Sequence, residues 1–414
     1  MNHTDLILFI FSLAILLLMA VISGRLAQYL KMPKVIGELI GGIILGPTIL
    51  GLFYPGIKQL LFASSGSVFQ ARDAFVKLGA ILLLFIIGLE INLPKIKELR
   101  KTIIWTSFFG SSFPFIMGLT SVFLFPQIWD YSPDQNKWLL PLFIGTALSI
   151  SALPVIARIL LDLGLLKSKV GSIILATATI DDIVGWIMFA IIVANFSPDA
   201  KHINPAMTAL GILAMFAFTL TFGKKLAKKL TLWSEKKNDS DSLFLGITLV
   251  LILLGATLAE RIGIHAVLGA FLVGIAFSNS EPHKMHTAMR QMVLYFFSPL
   301  YFVSVGLQVN FLKHFDLTLV LGVISIATLG KVLGAFIGAK ISKLNNQEAL
   351  AIAFGMNARG AVEIILATSA YQAKLIDERI FVAIVIMAIV TSLISGPMMK
   401  KILERRTKRL TAND

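Results

Sequence analysis

The sequence predicts an all-α polytopic membrane protein of about 13 transmembrane helices, built as two inverted repeats in which discontinuous helices 5 and 12 cross. Three observations predict it. The 414 residues are 57% hydrophobic and only 14% charged, with a mean hydropathy of +0.84, a composition of membrane chains rather than of soluble globules. The apolar residues fall in blocks of about twenty, the length that crosses the hydrocarbon core. Short sequence echoes recur seven blocks apart, and an odd shift reverses the direction of the second copy through the membrane.

The blocks lie at 5–23, 35–53, 74–92, 103–126, 138–161, 170–195, 206–223, 242–259, 264–279, 290–310, 315–340, 347–371 and 377–399. The first, with Leu6 to Ile22 at its heart, has no basic leader and no small-residue cleavage site, so it reads as a span and not as a removable signal. Residues 1–223 then form the first repeat plus a linking helix, 224–241 a lysine-rich cytoplasmic hinge loop, 242–399 the second repeat, and 400–414 a basic cytoplasmic tail. The net charge of +14 sits mostly in short loops after odd-numbered spans, as with Arg25, Lys34, Lys97, Lys101 and Lys228. That asymmetry argues for orientation in a cell membrane, N-terminus outside and C-terminus cytoplasmic, with lipid and not nucleic acid as the partner. With no cysteine, disulfides, thiol nucleophiles and cysteine metal sites are excluded.

Two echoes carry the repeat. Val35-Ile36-Gly37-Glu38-Leu39-Ile40-Gly41-Gly42-Ile43 in the second span resembles Val267-Leu268-Gly269-Ala270-Phe271-Leu272-Val273-Gly274-Ile275 in the ninth. Gly88-Leu89-Glu90-Ile91-Asn92 closing the third resembles Gly306-Leu307-Gln308-Val309-Asn310 closing the tenth. The same shift pairs the fifth span, with Ser149-Ile150-Ser151-Ala152-Leu153-Pro154, to the twelfth, with Gly355-Met356-Asn357-Ala358-Arg359-Gly360. Pro154 removes a backbone donor, while Asn357 and Gly360 tolerate non-helical backbone. Both spans are therefore expected to unwind at mid-membrane, where irregular backbone is tolerated if it lines a cavity or is buried in protein.

Asp181 and Asp182 sit in the middle of the sixth apolar run. An ionised side chain there costs roughly 2.5–3.5 kcal/mol on insertion scales, so the pair marks a functional site. Lys331 lies mid-way along the eleventh run, Arg359 and Glu363 stand four apart on the twelfth, where they could share a face and pair, and Ser149 and Ser151 flank the break of the fifth. Neighbouring helix residues point about 100° apart. One aspartate can therefore pair with Lys331 while the other faces an aqueous cavity that a cation can reach. A small hard monovalent cation takes oxygen ligands, which carboxylates, serine hydroxyls and unwound carbonyls supply. A site that holds either the cation or protons, and does not cross empty, is an antiporter; release of a proton from Lys331 as well would make exchange voltage-dependent. A gated cation channel would need a continuous polar pathway instead of one isolated charged cluster. No enzyme constellation or cofactor is indicated: His265 and His283 stand in loop-like stretches, and no metal spacing or nucleophile elbow is present. Glu38 and Glu90 read as interfacial or structural.

At these residues the chain resembles the monovalent cation:proton antiporter families. Ala147-Leu148-Ser149-Ile150-Ser151-Ala152-Leu153-Pro154-Val155-Ile156-Ala157-Arg158 is similar to the broken-helix motif of the branch holding plant cation/proton exchangers and bacterial potassium-efflux antiporters, and Asn357-Ala358-Arg359-Gly360-Ala361-Val362-Glu363 to that branch's twelfth-helix motif. The resemblance implies a homodimer, with a core domain of spans 3–6 and 10–13 moving in elevator fashion against a dimerisation domain of spans 1, 2, 8 and 9, span 7 linking them. An Asp-Asp pair with a lysine on the eleventh helix resembles the electrogenic sodium/proton type, whereas the electroneutral type carries Asn-Asp and the potassium-efflux type Gln-Asp. By that likeness Asp182 is the main cation ligand and proton carrier, and Asp181 the partner of Lys331. A potassium/proton antiporter is the alternative within the class. Two features depart from the pattern: no nucleotide-binding domain is attached, and Glu363 stands further from Arg359 than in some sodium/proton relatives.

Overall fold

The computed structural model describes residues 2–30, 32–63, 65–89, 91, 93–131, 138–196, 205–236, 241–262, 266–278, 289–308, 315–372 and 374–411. Helix accounts for 86% of the structure, and no strand occurs among the described residues. In chain order the principal helices begin with α1 (His3–Tyr29), α2 (Lys34–Leu45), α3 (Ser67–Leu89) and α4 (Arg100–Leu124). There follow α5 (Leu139–Ser149), α6 (Leu153–Asp162), α7 (Lys169–Phe196), α8 (Pro205–Phe218), α9 (Asp241–Ile262) and α10 (Ala266–Phe277). The last five are α11 (Ser298–Leu307), α12 (Leu317–Ile341), α13 (Asn346–Met356), α14 (Ala361–Gln372) and α15 (Glu378–Thr411). Seven helical stretches among the described residues are long and apolar enough to cross a bilayer. Helix is what a long apolar run must become in lipid, because every backbone amide and carbonyl there needs an internal partner.

The fifth and twelfth spans break where the sequence predicts. α5 stops at Ser149; Ile150 (φ −69°, ψ 151°) and Ala152 (φ −86°, ψ 100°) are extended, and α6 restarts with Pro154 in its first turn, where a missing amide costs nothing. α13 ends at Met356, and residues 357–360 are non-helical before α14 begins.

The chain divides into two compact units. Unit 1 comprises residues 1–23, 38–92 and 205–308, and unit 2 comprises 24–37, 93–204 and 309–414. Helices α3 and α11, the third and tenth spans, fall in unit 1 with the first, second, seventh, eighth and ninth.

In unit 1 the two sequence echoes become two matching helix crossings. A Cβ placed on Gly42 of α2 would lie 2.0 Å from the Val303 carbonyl oxygen of α11, and one on Gly306 would lie 2.1 Å from the Leu39 carbonyl oxygen. At the related crossing, a Cβ on Gly274 of α10 would lie 2.3 Å from the Phe85 carbonyl oxygen of α3, and one on Gly88 equally close to that of Phe271. Gly42 corresponds to Gly274 and Gly306 to Gly88 in the repeat, so each copy supplies one helix to each crossing. Glu90, Asn92, Val309 and Asn310 of the second echo lie outside the described residues, as do His265 and His283.

The expected hinge loop is largely helical: after a π-turn at Thr219–Gly223 the chain runs on as helix through Lys224–Lys236. Lysine is a good helix former, and Ala227 and Thr231, four apart, bury one face while Lys225, Lys228 and Lys229 are exposed. Residues 237–240 of that loop lie outside the described residues.

Unit 2 holds the two broken spans. Its α4 and α12 pack through a row of glycines spaced by four, Gly330 against Pro114, Gly334 against the Phe109 backbone and Gly338 against the Trp105 backbone. That contact draws Lys331 inward, where it is fully buried. An apolar cluster including Phe143, Leu148, Val323, Ala327, Leu366, Ile384 and Met387 surrounds the break of the fifth span.

Candidate functional site

The two unwound segments meet. The Ala152 amide donates to the Ala358 carbonyl at 3.1 Å, and the Ser151 hydroxyl donates to the Met356 carbonyl at 2.8 Å. Four half-helices therefore end at one buried point, and their ends leave backbone groups and partial charges that something must meet.

Cations meet the negative end of α5. The Arg359 guanidinium, buried completely, donates to the carbonyls of Ala147 (3.2 Å) and Ile150 (2.8 Å) and to that of Leu148. Lys331 Nζ donates to the Ser149 carbonyl at 2.7 Å. Anions meet the positive ends. The Glu363 carboxylate accepts the Gly360 amide at 2.8 Å at the start of α14, and the Asp182 carboxylate accepts the Leu153 amide at the start of α6. The charged side chains thus complement the helix ends they face, which is how they persist in an apolar interior.

Asp181 and Asp182 are both buried on α7 but have different surroundings. Lys331 Nζ lies 2.7 Å from Asp181 Oδ2, which the Ser151 hydroxyl approaches at 3.5 Å. The Ser107 hydroxyl of α4 donates to Asp181 Oδ1 at 2.6 Å. Asp181 therefore has donors on both oxygens. Asp182, by contrast, keeps Oδ1 buried and without a hydrogen-bond partner among the described residues. It lies within electrostatic reach of Glu363, Asp181 and Lys331. Glu363 Oε1 and both polar ends of the Asn357 amide are likewise buried and without a partner among the described residues. A buried polar atom left unpaired costs about 1–3 kcal/mol, more when charged, so this group of open oxygens is suited to an incoming cation or to protons.

Two sequence expectations are corrected here. Arg359 does not pair with Glu363: it lies in the non-helical stretch before α14, so the helical spacing of four does not apply, and its guanidinium turns to the end of α5. Ser149 enters through its carbonyl, its hydroxyl being turned to the Thr146 carbonyl at 2.9 Å. Pro154, Asn357 and Gly360 stand at the breaks. Sequence reasoning missed Ser107 and Ser392. The Ser392 hydroxyl of α15 accepts from the Arg359 amide at 3.0 Å and donates to the Arg359 carbonyl, holding the unwound backbone on both sides. The glycine row on α12, which aims Lys331 at the helix carrying Ser107, was the available signal.

A family model described as sodium/hydrogen exchanger, transmembrane, matches residues 13–405. The chain belongs to the sodium/hydrogen exchanger family. As a member of that family it is a multi-pass cation:proton antiporter and not an enzyme. It is 31% identical over 409 residues to the Na(+)/H(+) antiporter NhaS4 of Synechocystis, covering 97% of this chain and 98% of that one. It is 32% identical over 400 residues to cation/H(+) antiporter 17 of Arabidopsis thaliana, covering 94% of this chain but only 48% of the plant protein, so it spans about half of that relative's length. The solved sodium proton antiporter MjNhaP1 of Methanocaldococcus jannaschii at pH 8 shares its fold, with a TM-score of 0.63, 18% identity and coverage of 95% and 96%.

Proposed function

We propose that this exchanger trades sodium for protons, with Asp182 as the carboxylate that holds one or the other. The single observation carrying this reading is the buried, unpartnered Oδ1 of Asp182, beside an Asp181 whose donors are already in place. Sodium would be gathered by Asp182 together with oxygens of the crossing segments, Asn357 and the Ser149 and Ser151 region among them. The Asp181–Lys331 pair supplies a second proton when the cation draws Asp181 away, so exchange is electrogenic. Arg359 and Glu363 stay as fixed charges on the ends of α5 and α14. Movement is of the elevator type, in a homodimer within the cell membrane, with the N-terminus outside and the C-terminus cytoplasmic. The compactness of unit 2, which contains every site residue, supports it as the moving body.

The likeness of the fifth-span motif to potassium-efflux antiporters supports a second reading, in which potassium is the cation. Purified protein in vesicles with an imposed pH gradient separates the two. Sodium, lithium and potassium are titrated in turn, and the sodium reading predicts saturable dissipation at the lowest concentration with sodium. Dissipation by potassium alone would replace it with the second reading. Current without proton movement would replace both with a channel.

A further inference from the structure

We propose that the outward face of α4, with the short helix before it, is a binding site for an anionic phospholipid. Lys97, Arg100 and Lys101 hold the phosphate, and the acyl chains lie along Ile104, Trp105 and Phe108. Such a site stands apart from the choice of cation in the exchange.

Both parts of the site begin on one helix. α4 is long and apolar enough to cross a bilayer, so its first residues stand at a membrane face. Its side chains divide by the helical period: Thr102, Ile103, Thr106, Ser107 and Gly110 are buried, while Arg100, Lys101, Ile104, Trp105 and Phe108 are exposed. The inward face is taken up by unit 2, with Gly334 and Gly338 of α12 seated against the Phe109 and Trp105 backbones. The outward face changes character along its length. It opens with two cations and continues, one and two turns on, with Ile104, Trp105 and Phe108, which are 57%, 42% and 56% exposed. At a rise of about 1.5 Å per residue, Phe108 lies about 12 Å further along the helix than Arg100. The cations therefore stand at the headgroup layer and the rings at the start of the acyl layer. Trp105 stacks on Phe109 with ring centroids 5.8 Å apart and meets Phe108 edge-on at 6.3 Å, a platform at the depth that indole rings favour.

Basic residues at the end of a span orient a chain without needing a ligand. Here, however, they border a cavity. An open depression of about 590 Å³, where the helix Leu93–Glu98 turns into α4, is lined by Pro94, Lys97, Glu98, Arg100 and Lys101. Its volume is that of a small-molecule site, and three exposed cations line it against the one exposed carboxylate of Glu98. Gly338 brings the end of α12 to Trp105, so Lys340 and Lys343 add positive charge at the same end of the helix pair. A clustered set of cations beside a span is what an anionic headgroup recognises. A free phosphate would match only the depression, and a neutral lipid only the apolar stripe that leads from it. An anion that carries its own acyl chains matches both.

The test measures binding of phosphatidylglycerol to the purified full-length protein in neutral detergent, with phosphatidylcholine of the same acyl chains and inorganic phosphate as comparison probes. Each cation beside an anionic headgroup is worth about fivefold in affinity. Replacing Lys97, Arg100 and Lys101 together by glutamine should therefore weaken phosphatidylglycerol binding about a hundredfold, toward that of phosphatidylcholine. Replacing Lys225, Lys228 and Lys229 by glutamine removes the same charge from another exposed stretch and should change binding by less than about threefold. Glu98→Gln should strengthen binding by up to about fivefold, a gain that loss of packing does not produce. Equal weakening by the two triple variants would reduce the effect to net charge and overturn the site. Inorganic phosphate that binds the wild type as tightly as phosphatidylglycerol and displaces it would replace the lipid with a free anion. Should the first triple variant not fold, an affinity left unchanged by Glu98→Gln overturns the site on its own.

Discussion

Arg359 shows why the charges of the site are not interchangeable. Its guanidinium serves the carbonyls of Ala147, Leu148 and Ile150, which have no helical partners because α5 has ended. A planar group with five donors fits such a cluster, whereas an ammonium serves it as a point charge. Arg359→Ala should therefore leave several buried carbonyls without donors and remove a positive charge near Glu363 and Asp181, a loss of about 3–5 kcal/mol, comparable to removing one partner of a buried pair. The measurement is thermal unfolding in detergent, and a variant that melts with the wild type would show the guanidinium to be replaceable. Asp182→Asn makes the opposite kind of change. The amide is close in shape, can still accept the Leu153 amide, and can neither bind nor release a proton at neutral pH. Folding should be preserved while exchange in vesicles is abolished; residual exchange near the wild-type rate would remove Asp182 from the proposed transport step.

Among the elements, the glycine crossings carry the repeat. Gly42 with Gly306, and Gly274 with Gly88, allow backbones to touch where a methyl group would meet a carbonyl oxygen at 2.0–2.3 Å. Substituting Gly42 or Gly274 by alanine should each cost about 1–3 kcal/mol through overpacking, and the two losses should be similar because the contacts are related by the repeat. Tm values of the two single variants check this, and a loss at one crossing alone would show that the two are not equivalent. These crossings were legible as sequence echoes, but their partners were not, because an echo gives a correspondence and not a contact. The breaks in spans 5 and 12 were legible because Pro154 and the Asn357 to Gly360 stretch weaken helical hydrogen bonding locally. The direction taken by Arg359 was not, since spacing along a helix predicts neighbours only while the helix continues. Ser107 was hidden for a different reason. A single hydroxyl in an apolar run is common, and only the packing of α4 on α12 and α7 brings it to Asp181. The lysine-rich stretch after Gly223 has the composition of a loop because its charge masks the spacing of Ala227 and Thr231, on which the helix turns.

For the whole molecule the decisive quantity is the charge carried per cycle. If Asp182 alone exchanged one proton for one sodium ion, no net charge would cross, and membrane potential would leave the equilibrium untouched. If Lys331 also gives up its proton, two protons cross per cation and each cycle moves one net charge. Moving one charge through 100 mV is worth about 2.3 kcal/mol, so about 60 mV should shift the transmembrane sodium ratio at equilibrium by a factor of about ten. Vesicles clamped by a potassium diffusion potential at fixed pH on both sides provide the measurement, with sodium as the only exchanged cation. Wild-type protein should accumulate or release sodium in proportion to the potential. In the Lys331→Gln variant the glutamine amide can still donate to the Ser149 carbonyl but carries no titrating proton. Exchange that survives there should lose its response to the potential while keeping its response to a pH gradient. A voltage response unchanged by Lys331→Gln would assign the second proton elsewhere, with Glu363, a buried carboxylate that interacts with both Asp182 and Lys331, as the group to draw on.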